Sequence, residues 1–321
     1  MVPHEIRWDP TKNYWIIVSP HRKGRPVHNE PVCPFCPGAP EIPKEDWDVL
    51  VLPNRFPSLK QDYENKFYNN KDIYKSRTAY GKCEVVIYSP SHTTELEELH
   101  LDKIVKVIKV WQLRFSHLSM MEDINYVLIF ENRGRVIGTT LDHPHGQIYA
   151  FPYIPKEIRT ELHSAKEYMK KKKSCIYCDI LKSEVEENKR IVAETDHFVA
   201  FLPYWAHFPF EVHIYSKRHI QKITQFTSDE ITDFARILRI IRLKYNKLYG
   251  FKLPFMMIFH QAPTDYQNYE YYHFHVEFYP VHRDRDKIKY PAGVEFGAGT
   301  FINPSNPEEN AKILKEIEID M

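Results

Sequence analysis

The chain contains one sequence pattern twice, and this duplication limits the folds that it can adopt. Each copy opens on a C-x-x-C pair and closes on an H-x-H: Cys33/Cys36 with His143/His145 in the first copy, and Cys175/Cys178 with His273/His275 in the second. Between these motifs residues 84–92 match residues 211–219, so that His92 and His219 each stand eight positions after a glutamate. Two copies of one supersecondary unit are therefore expected.

The stretch after each of these histidines predicts a long helix with one apolar face. In the first copy we take Asp102 as the N-cap, and the apolar stripe is formed by Ile104, Val107, Ile108, Trp111, Phe115 and Leu118. In the second copy Thr227 and Glu230 form a capping-box signature, and the stripe is formed by Ile231, Phe234, Leu238, Ile241, Tyr245 and Leu248.

Each copy has the order strand, strand, long helix, strand, strand, which predicts an α+β fold with antiparallel sheets and helices on one face. The apolar strand after each helix lies at residues 127–130 and 255–259. Two such units can join into one continuous sheet with two related sites. We place the units at residues 1–168 and 169–321, with a lysine-rich helix end beside the join.

The composition disfavours two classes of function, nucleic-acid binding and membrane insertion. The chain has 44 Lys and Arg residues against 43 Asp and Glu residues, so its net charge of +1 disfavours an extended nucleic-acid surface. No apolar run approaches the length of a membrane span, and the N-terminus lacks the basic start and apolar core of a signal peptide. We expect a soluble, cytoplasmic protein with no nucleic-acid partner and no membrane partner.

Four of the five cysteines form the two C-x-x-C pairs, which in a cytosolic chain hold metal more often than they form disulfides. Overlaying the copies predicts two Cys₂His₂ sets: Cys33, Cys36, His92 and His143, and Cys175, Cys178, His219 and His273. Such sets suit tetrahedral Zn²⁺ and leave no open position, so we predict one or two structural zinc ions. The alternatives are buried small side chains, or a thioredoxin-like pair opening a helix in a βαβ unit.

The segment His143-Pro144-His145-Gly146-Gln147 carries the predicted chemistry. If it is extended, His143, His145 and Gln147 point to one face. A zinc-bound His143 would position His145, whose neutral imidazole is a good nucleophile near neutral pH. We predict that His145 attacks the α-phosphorus of a nucleotide, giving a nucleotidyl-histidine, and that Gln147 bonds the phosphate. A metal ligand or a general acid are the alternative roles of His145.

The residues beside the two H-x-H motifs differ. Gly146, which would let a ligand approach the backbone, follows His145, and neutral Gln147 comes next. In the second copy Glu277 replaces the glutamine, and its carboxylate would repel a phosphate. The first copy is therefore the predicted phosphate site, and the second is degenerate, with metal binding as its remaining role. Candidate phosphate partners, each also explicable as a surface or turn residue, are Arg22, Arg25, Asn132, Gly138, Thr139 and Thr140.

Several motifs together resemble one known family. They are Ser19-Pro20-His21-Arg22 with Arg25-Pro26, Phe130-Glu131-Asn132 with Gly134, Gly138, the H-P-H-G-Q segment, Pro203-Tyr204-Trp205 with Pro209-Phe210-Glu211, and Lys289 through Gly293 to Glu295. From about residue 9 to residue 295 the chain resembles the galactose-1-phosphate uridylyltransferase family of the histidine-triad superfamily. The resemblance implies two histidine-triad-like repeats that form a largely antiparallel half-barrel sheet with flanking helices.

The resemblance also implies a reaction and its residues. His145 would take UMP from UDP-glucose in a ping-pong mechanism and pass it to galactose 1-phosphate, with Gln147 bonding the phosphate. The nucleotide and its phosphates would be contacted by Asn54, Asn132, Gly138, Thr139 and Thr140, and phosphate or sugar by Arg25, Lys289 and Glu295. Family members are homodimers with shared active sites, so a homodimer is expected.

Some positions depart from the family pattern. Asp142 stands where a proline is usual before the H-P-H. A metal-type cluster of bacterial and animal members maps to Glu161, His260, His275 and Glu277, but the last is a histidine in them, so a third metal there is chemically feasible and stays an open alternative. The second C-x-x-C and the tail at residues 297–304 resemble plant adenylyl-sugar phosphorylases. ADP-glucose phosphorolysis through His145 is therefore the second hypothesis, and a zinc-stabilised nucleotide-binding module without turnover is the third.

Overall fold

The structure, a computed structural model, describes residues 4–24, 32–44, 46–62, 64, 66–71 and 73–320. Its strands are β1 (Glu5–Asp9), β2 (Tyr14–Val18), β3 (Leu50–Pro53), β4 (Phe67–Lys71), β5 (Tyr74–Thr78), β6 (Lys82–Ile87), β7 (Tyr126–Arg133), β8 (His145–Phe151), β9 (Ile191–Glu194), β10 (Phe198–Phe201), β11 (Val212–Ser216), β12 (Phe255–His260), β13 (His275–Pro280), β14 (His282–Asp284) and β15 (Lys287–Ile288). Its helices are α1 (Leu101–Ser119), α2 (Lys156–Lys172), α3 (Ile176–Glu187), α4 (Ser228–Leu248), α5 (Gly293–Ala298) and α6 (Pro307–Glu316).

Nine strands form one continuous sheet in the order β3-β6-β8-β7-β12-β13-β11-β10-β9, and all neighbours in it are antiparallel. Read outward from the junction of β7 and β12, the two copies have matching orders: β7, β8, β6, β3 and β12, β13, β11, β10. The predicted α+β fold, with two repeats joined in a largely antiparallel open sheet, is confirmed. The division after residue 168 stays a prediction, and it falls inside α2.

The two long helices bury the predicted stripes. All six apolar residues of α1 are buried, as are the first five of α4, with Leu248 packed against the core. The capping box of α4 is present, because the Thr227 hydroxyl accepts from the Glu230 amide and the Glu230 carboxylate accepts from the Thr227 amide. The prediction of Asp102 as the N-cap of α1 is wrong. His100 takes that position, and Asp102 lies in the first turn, where its charge favours the helix N-terminus.

Helices cover both faces of the large sheet. Side chains such as Ile148 and Ala150 pack on the face that α1, α4 and α6 cover, whereas Tyr149 and Phe151 belong to a second core with α2, α3 and β1. The prediction of helices on one face is therefore wrong. The segment between the copies forms the pair α2 and α3, whose apolar residues Leu162 and Tyr177 are buried on the second face.

The remaining strands form a four-stranded sheet, in the order β2-β1-β5-β4, and the short pair β14 and β15. Ile6 of β1 is fully buried in the second core, so the small sheet is packed on the same side as α2 and α3. Among the described residues, no helix is both long enough and apolar enough to cross a membrane.

Candidate active site and metal clusters

Strand β8 carries His145, Gln147 and Tyr149 on the face opposite Gly146, Ile148 and Ala150. His143 lies before the strand and is buried, so the shared face predicted for 143, 145 and 147 begins only at His145. The Nδ1–H of His145 donates to the carbonyl oxygen of His143 at 2.7 Å. Because a carbonyl only accepts, this bond fixes the tautomer of the neutral ring, and Nε2 carries the lone pair.

An apolar-walled cavity meets His145 on one side. The ring of Phe35, between the cysteines of the first C-x-x-C, lies 5.3 Å from the ring of His145, centroid to centroid. The wall is completed by Pro34, Leu52, Pro53, Phe56, Val85 and Leu141, and the polar groups are Glu41, Asn54, Arg55, Thr140 and Gln147. Such a wall with a few polar groups suits a nucleoside.

A more polar cavity meets His145 on another side. It is lined by Arg22, Phe130, Asn132, Gly138, Thr139, Gln147 and Tyr149. Arg22 is held there because its Nη1 donates to the Phe56 carbonyl at 2.8 Å and to the Ser58 hydroxyl at 2.9 Å. Asn54 donates to the side-chain oxygen of Gln147 at 3.3 Å, which leaves the Gln147 amide nitrogen to donate. These donors suit phosphate oxygens.

Two glycines near His145 are required for different reasons. Gly138 has φ +85°, a conformation that other residues rarely adopt, and it ends the turn that presents Thr139. At Gly146 a β-carbon would come 2.4 Å from the hydroxyl of Tyr88. The expectation that Gly146 makes room for a ligand is therefore wrong. It makes room for Tyr88, on the face opposite His145.

The predicted site residues fall into three groups. The structure gathers Arg22, Asn54, Asn132, Gly138, Thr139, Thr140 and Gln147 around His145. Lys289 and Glu295 form an ion pair at 3.2 Å elsewhere, where the ammonium of Lys289 lies over the ring of Phe208. Donation from the Ala292 amide lowers the pKa of Glu295 to about 2, so Glu295 is a carboxylate. Arg25 lies outside the described residues.

Sequence reasoning missed several cavity residues. Tyr149 stands two residues after Gln147 in the same strand, so the alternation of side chains would have indicated it. Phe35 could have been found from the metal prediction, because a loop whose cysteines meet His143 must lie beside His145. No local signal identifies Leu52, Phe56 or Glu41, which reach the site through the pairing of β3 with β6 and the loops before and after β3.

The first predicted metal cluster is assembled. One ligand atom from each of Cys33, Cys36, His92 and His143 lies within 4.8 Å of the others. The His143 Nε2–H donates to the Ser89 carbonyl at 2.9 Å, so Nδ1 faces the sulfur atoms at 3.7 Å. Zinc bonds of roughly 2.0–2.3 Å in a tetrahedron place ligands about 3.3–3.8 Å apart, so the donor set fits the ion. Burial and the neighbouring Cys33 raise the pKa of Cys36 to about 11. A bound cation would lower the pKa of this thiol, because it stabilises the thiolate.

The second cluster repeats this arrangement with Cys175, Cys178, His219 and His273. Nδ1 of His219 lies 3.3 Å from the Cys178 sulfur, and Nδ1 of His273 lies 3.4 Å from it. The Nε2–H of His273 donates to the Ser216 carbonyl at 2.9 Å, as His143 does to Ser89. Cys175 caps α3, but α3 follows α2 and not a strand, so the βαβ context of a thioredoxin-like pair is missing around it.

A third group, Glu161, His260, His275 and Glu277, also comes together, with ligand atoms within 4.8 Å. Nδ1 of His260 lies 2.8 Å from Glu161, and its Nε2 lies 3.1 Å from Glu277. Although burial lowers the pKa of His260, Glu161 and Glu277 raise it to about 9. The nitrogen and oxygen donors suit a divalent first-row ion, and they also pair with one another as charged groups.

Comparison with known proteins gives one consistent result. Residues 2–155 match the family described as galactose-1-phosphate uridyl transferase, N-terminal domain, and residues 161–318 match its C-terminal domain. A curated galactose-1-phosphate uridylyltransferase of Thermotoga maritima is 42% identical over 319 residues, 99% of each chain. The solved structure entitled "Structure of uridylyltransferase" has a TM-score of 0.88 at 38% identity, covering 97% of both chains. An ADP-glucose phosphorylase from Arabidopsis thaliana with bound ADP-glucose has a TM-score of 0.77 at 26% identity, covering 98% of this chain and 99% of that one.

Proposed function

The chain belongs to the galactose-1-phosphate uridyl transferase family, and from this premise we propose that it moves UMP from UDP-glucose to galactose 1-phosphate through a covalent uridylyl-His145. The observation that carries the proposal is the His145 ring. Its Nδ1 is tied to the His143 carbonyl, and it lies where an apolar-walled cavity and a polar cavity meet. A nucleoside and its phosphates would occupy these two cavities.

Each half-reaction exchanges one bond at the α-phosphorus. The Nε2 lone pair of His145 forms a P–N bond, the bond from phosphorus to the bridging oxygen breaks, and glucose 1-phosphate leaves with that electron pair. A phosphate oxygen of galactose 1-phosphate then forms the new P–O bond, and Nε2 regains its lone pair as UDP-galactose leaves. The Nδ1 proton stays on the ring in both halves, because the His143 carbonyl accepts from it throughout.

Positioning and charge stabilisation do most of the work in phosphoryl chemistry. Arg22 supplies positive charge, and the amide of Gln147 supplies a donor two residues from the nucleophile. Asn132 and Thr139 line the same cavity and add polar contacts for phosphate oxygens. Arg25, three residues after Arg22, is proposed to add a further cation.

We assign zinc to the two Cys₂His₂ clusters because their donors are soft thiolates and imidazoles at tetrahedral spacing. When bound, the ion would hold the thiolates ionised and fix the surrounding loops. His143 would belong to the first cluster, and the proposed nucleophile, His145, lies two residues after it. Thiolate ligands of this kind also favour a reducing compartment, which supports a cytoplasmic protein.

We further propose a homodimer in which Lys289 and Glu295 complete the partner's site. Neither is among the described residues that line the apolar-walled cavity, the polar cavity or a third cavity at His145 in the same chain. Both lie beside exposed apolar side chains, with Tyr290 67% and Phe296 76% exposed, and such a patch is typical of an interaction surface. Coexpression of His145→Ala with Lys289→Ala tests this. A mixed dimer of these two inactive chains would contain one intact site, so activity should return, and continued inactivity of the isolated mixed dimer excludes shared sites.

ADP-glucose phosphorolysis is the second candidate, and the relative with bound ADP-glucose favours it. Both reactions use the same histidine and differ in donor and acceptor. The apolar-walled cavity suits a nucleoside in either reaction, so the choice rests on the 42% identical uridylyltransferase.

Incubation with UDP-glucose alone tests the main proposal. One UMP mass should be added to the peptide that contains His145, with release of an equal amount of glucose 1-phosphate. ADP-glucose serves as the matched donor, and UDP as a control that has no sugar phosphate to release. The absence of an adduct with both sugar nucleotides would exclude His145 as the nucleophile. Discharge of the adduct by galactose 1-phosphate and not by inorganic phosphate separates the two candidates.

A further inference from the structure

A buried charge network lies directly behind the strand that carries His145. Its centre is Arg242 of α4, which is fully buried. Arg242 donates from Nη1 to Glu131 at 2.8 Å and from Nε to Glu97 at 2.6 Å. Arg133 donates to Glu97 at 2.6 Å as well. Glu97 is completely buried, and although burial raises its pKa, Arg242 and Arg133 hold the pKa well below its usual range. Buried charges are costly unless they are paired, so this network is a fixed arrangement.

The network ends on the backbone of the reactive strand. The hydroxyl of Tyr88 donates to Glu131 at 2.8 Å, and Tyr88 is 1% exposed. The same hydroxyl occupies the space where a residue other than glycine at position 146 would have its β-carbon, 2.4 Å away. Gly146 has no unusual φ that would require glycine, so this contact is what excludes a side chain there.

The second copy provides an internal comparison. Tyr215 matches Tyr88 in sequence, but its side chain lies in the opposite core, on the face of His275. At the position of Gly146 the second copy has Val276, whose side chain fills the core on the α1 and α4 side. The first copy, whose half-buried histidine lines the cavities, is therefore the one that places a hydroxyl, tied to a buried carboxylate, against the peptide between its two site residues.

We infer that Tyr88, held by Glu131 and Arg242, is a positioning residue that sets the location of Gly146 and thereby the spacing of His145 and Gln147. The inference rests on the proposed function, because it concerns the geometry of the nucleophile and the amide that bonds the phosphate. Tyr88 touches no substrate and acts only through the backbone. Displacements of about 1 Å at a reacting group can cost on the order of a hundredfold in rate.

The test is a set of four proteins: wild type, Tyr88→Phe, Gly146→Ala and the double variant. Measured quantities are the single-turnover rate of adduct formation at saturating UDP-glucose and the UDP-glucose concentration at half-saturation. Tyr88→Phe should lower the rate roughly tenfold with little change in half-saturation, and Gly146→Ala should lower it roughly a hundredfold. In the double variant the hydroxyl is gone, and the nearest remaining atom to the new β-carbon is the ring Cζ at 3.2 Å. The double variant should therefore be about tenfold faster than Gly146→Ala.

Tyr245→Phe is the matched control, because Tyr245 is also fully buried and its hydroxyl donates at 2.8 Å to the Phe210 carbonyl, away from Gly146. Its rate should stay within about twofold of wild type. A wild-type rate in Tyr88→Phe, or a double variant no faster than Gly146→Ala, overturns the inference. If Gly146→Ala does not fold, the double variant should recover folded protein, and failure to do so also overturns it. If the wild-type protein forms no adduct, the proposed function itself is refuted. The wild-type measurement therefore distinguishes failure of the proposed function from failure of this inference.

Discussion

The two copies hold their second histidine in the same way but surround it differently. Nδ1–H of His145 donates to the carbonyl two residues earlier at 2.7 Å, and Nδ1–H of His275 does the same at 2.9 Å. In each copy the aromatic residue between the cysteines contacts that ring, Phe35 at 5.3 Å and Tyr177 at 4.9 Å between centroids. The first ring lines three cavities, among them the apolar-walled and the polar one, whereas the second is 1% exposed.

The difference comes from the helices between the copies. Glu161 of α2 and Tyr177 of α3 lie over the face of the second copy, where Glu161 pairs with His260 and Tyr177 stacks near His275. In the first copy α2 packs beside Phe151, further along β8, and none of the described residues that line the two cavities at His145 belongs to α1–α6. One repeated scaffold thus carries the proposed reactive site in one copy and a buried polar core in the other. Two features distinguish the copies: the exposure of the second histidine's ring, and the residue two positions after it, Gln147 or Glu277.

Alanine at the two equivalent histidines gives the largest expected contrast. His145→Ala removes the proposed nucleophile, so adduct formation should fall by at least about a thousandfold while folding is kept. His275→Ala removes a buried ring, so the adduct should still form, and the free energy of unfolding should fall by about 2–4 kcal/mol. Adduct mass and denaturant unfolding measure the two effects. Loss of the adduct in His275→Ala, with the fold intact, would break the division of roles between the copies.

Local pattern and duplication predicted much of the molecule. The stripes of α1 and α4 follow from helical periodicity, and the two Cys₂His₂ clusters follow from matched offsets between the copies. The H-P-H-G-Q motif predicts His145 as the nucleophile, and the ring lines both cavities in the structure. These inferences depend on spacing along the chain, which the sequence records directly.

Long-range packing was not predictable in the same way. The position of α2 and α3 on the second face depends on tertiary contacts, and so does the side to which Tyr88 turns, although Tyr88 and Tyr215 occupy equivalent places in the sequence match. Gly146 shows the consequence. Its sequence context favours a ligand contact, whereas a hydroxyl from another strand end explains it. Lys289 and Glu295 stand apart from His145 within the chain, and their proposed place in a partner's site rests on the family resemblance and not on a local sequence signal.

Exchanging the residue two positions after each histidine, Gln147 or Glu277, sharpens the comparison between the copies. Gln147→Glu gives the first copy the carboxylate of the second, so repulsion of the phosphate should slow adduct formation by roughly a hundredfold. Glu277→Gln should leave the rate near wild type and reduce the free energy of unfolding by about 3 kcal/mol, because Glu277 accepts from Tyr279 and pairs with His260. Single-turnover rates and urea unfolding report the two effects. An unaffected rate in Gln147→Glu would show that Gln147 does not face the phosphate.

The two cysteine clusters should differ in their effect on activity. Cys33→Ser and Cys175→Ser should each remove one zinc per chain, measured by elemental analysis, because each cluster loses one of four ligands. Cys33→Ser should also slow adduct formation by roughly tenfold, since His143 lies in the first cluster and its carbonyl orients His145. Cys175→Ser should affect stability more than rate. Unchanged zinc content in either variant contradicts that cluster, and equal rates in both variants contradict the link from zinc to His145.

The smallest expected effect is a pH dependence that differs between equivalent positions. Glu95 and Lys222 each stand three residues after the cluster histidine and each cap a short turn. Burial raises the pKa of Glu95 from 4.5 to about 7, and burial lowers the pKa of Lys222. The folded state then holds the Glu95 proton more tightly than the unfolded state, so this stabilisation is present below pH 4.5 and is lost as the pH rises through 7.

Replacing Glu95 with glutamine removes that titration. The free energy of unfolding of wild type minus that of Glu95→Gln should fall by about 2 kcal/mol between pH 4.5 and pH 7.5, measured by urea unfolding at each pH. For Lys222→Gln, measured up to about pH 10, the difference should instead rise as the pH approaches the usual lysine pKa of 10.5, because burial disfavours the charged, protonated form of Lys222. Slopes of the same sign at both positions would mean that Arg242, whose Nη2 lies 3.6 Å from the Glu95 carboxylate, outweighs burial and keeps Glu95 ionised in the cavity that it lines together with His145.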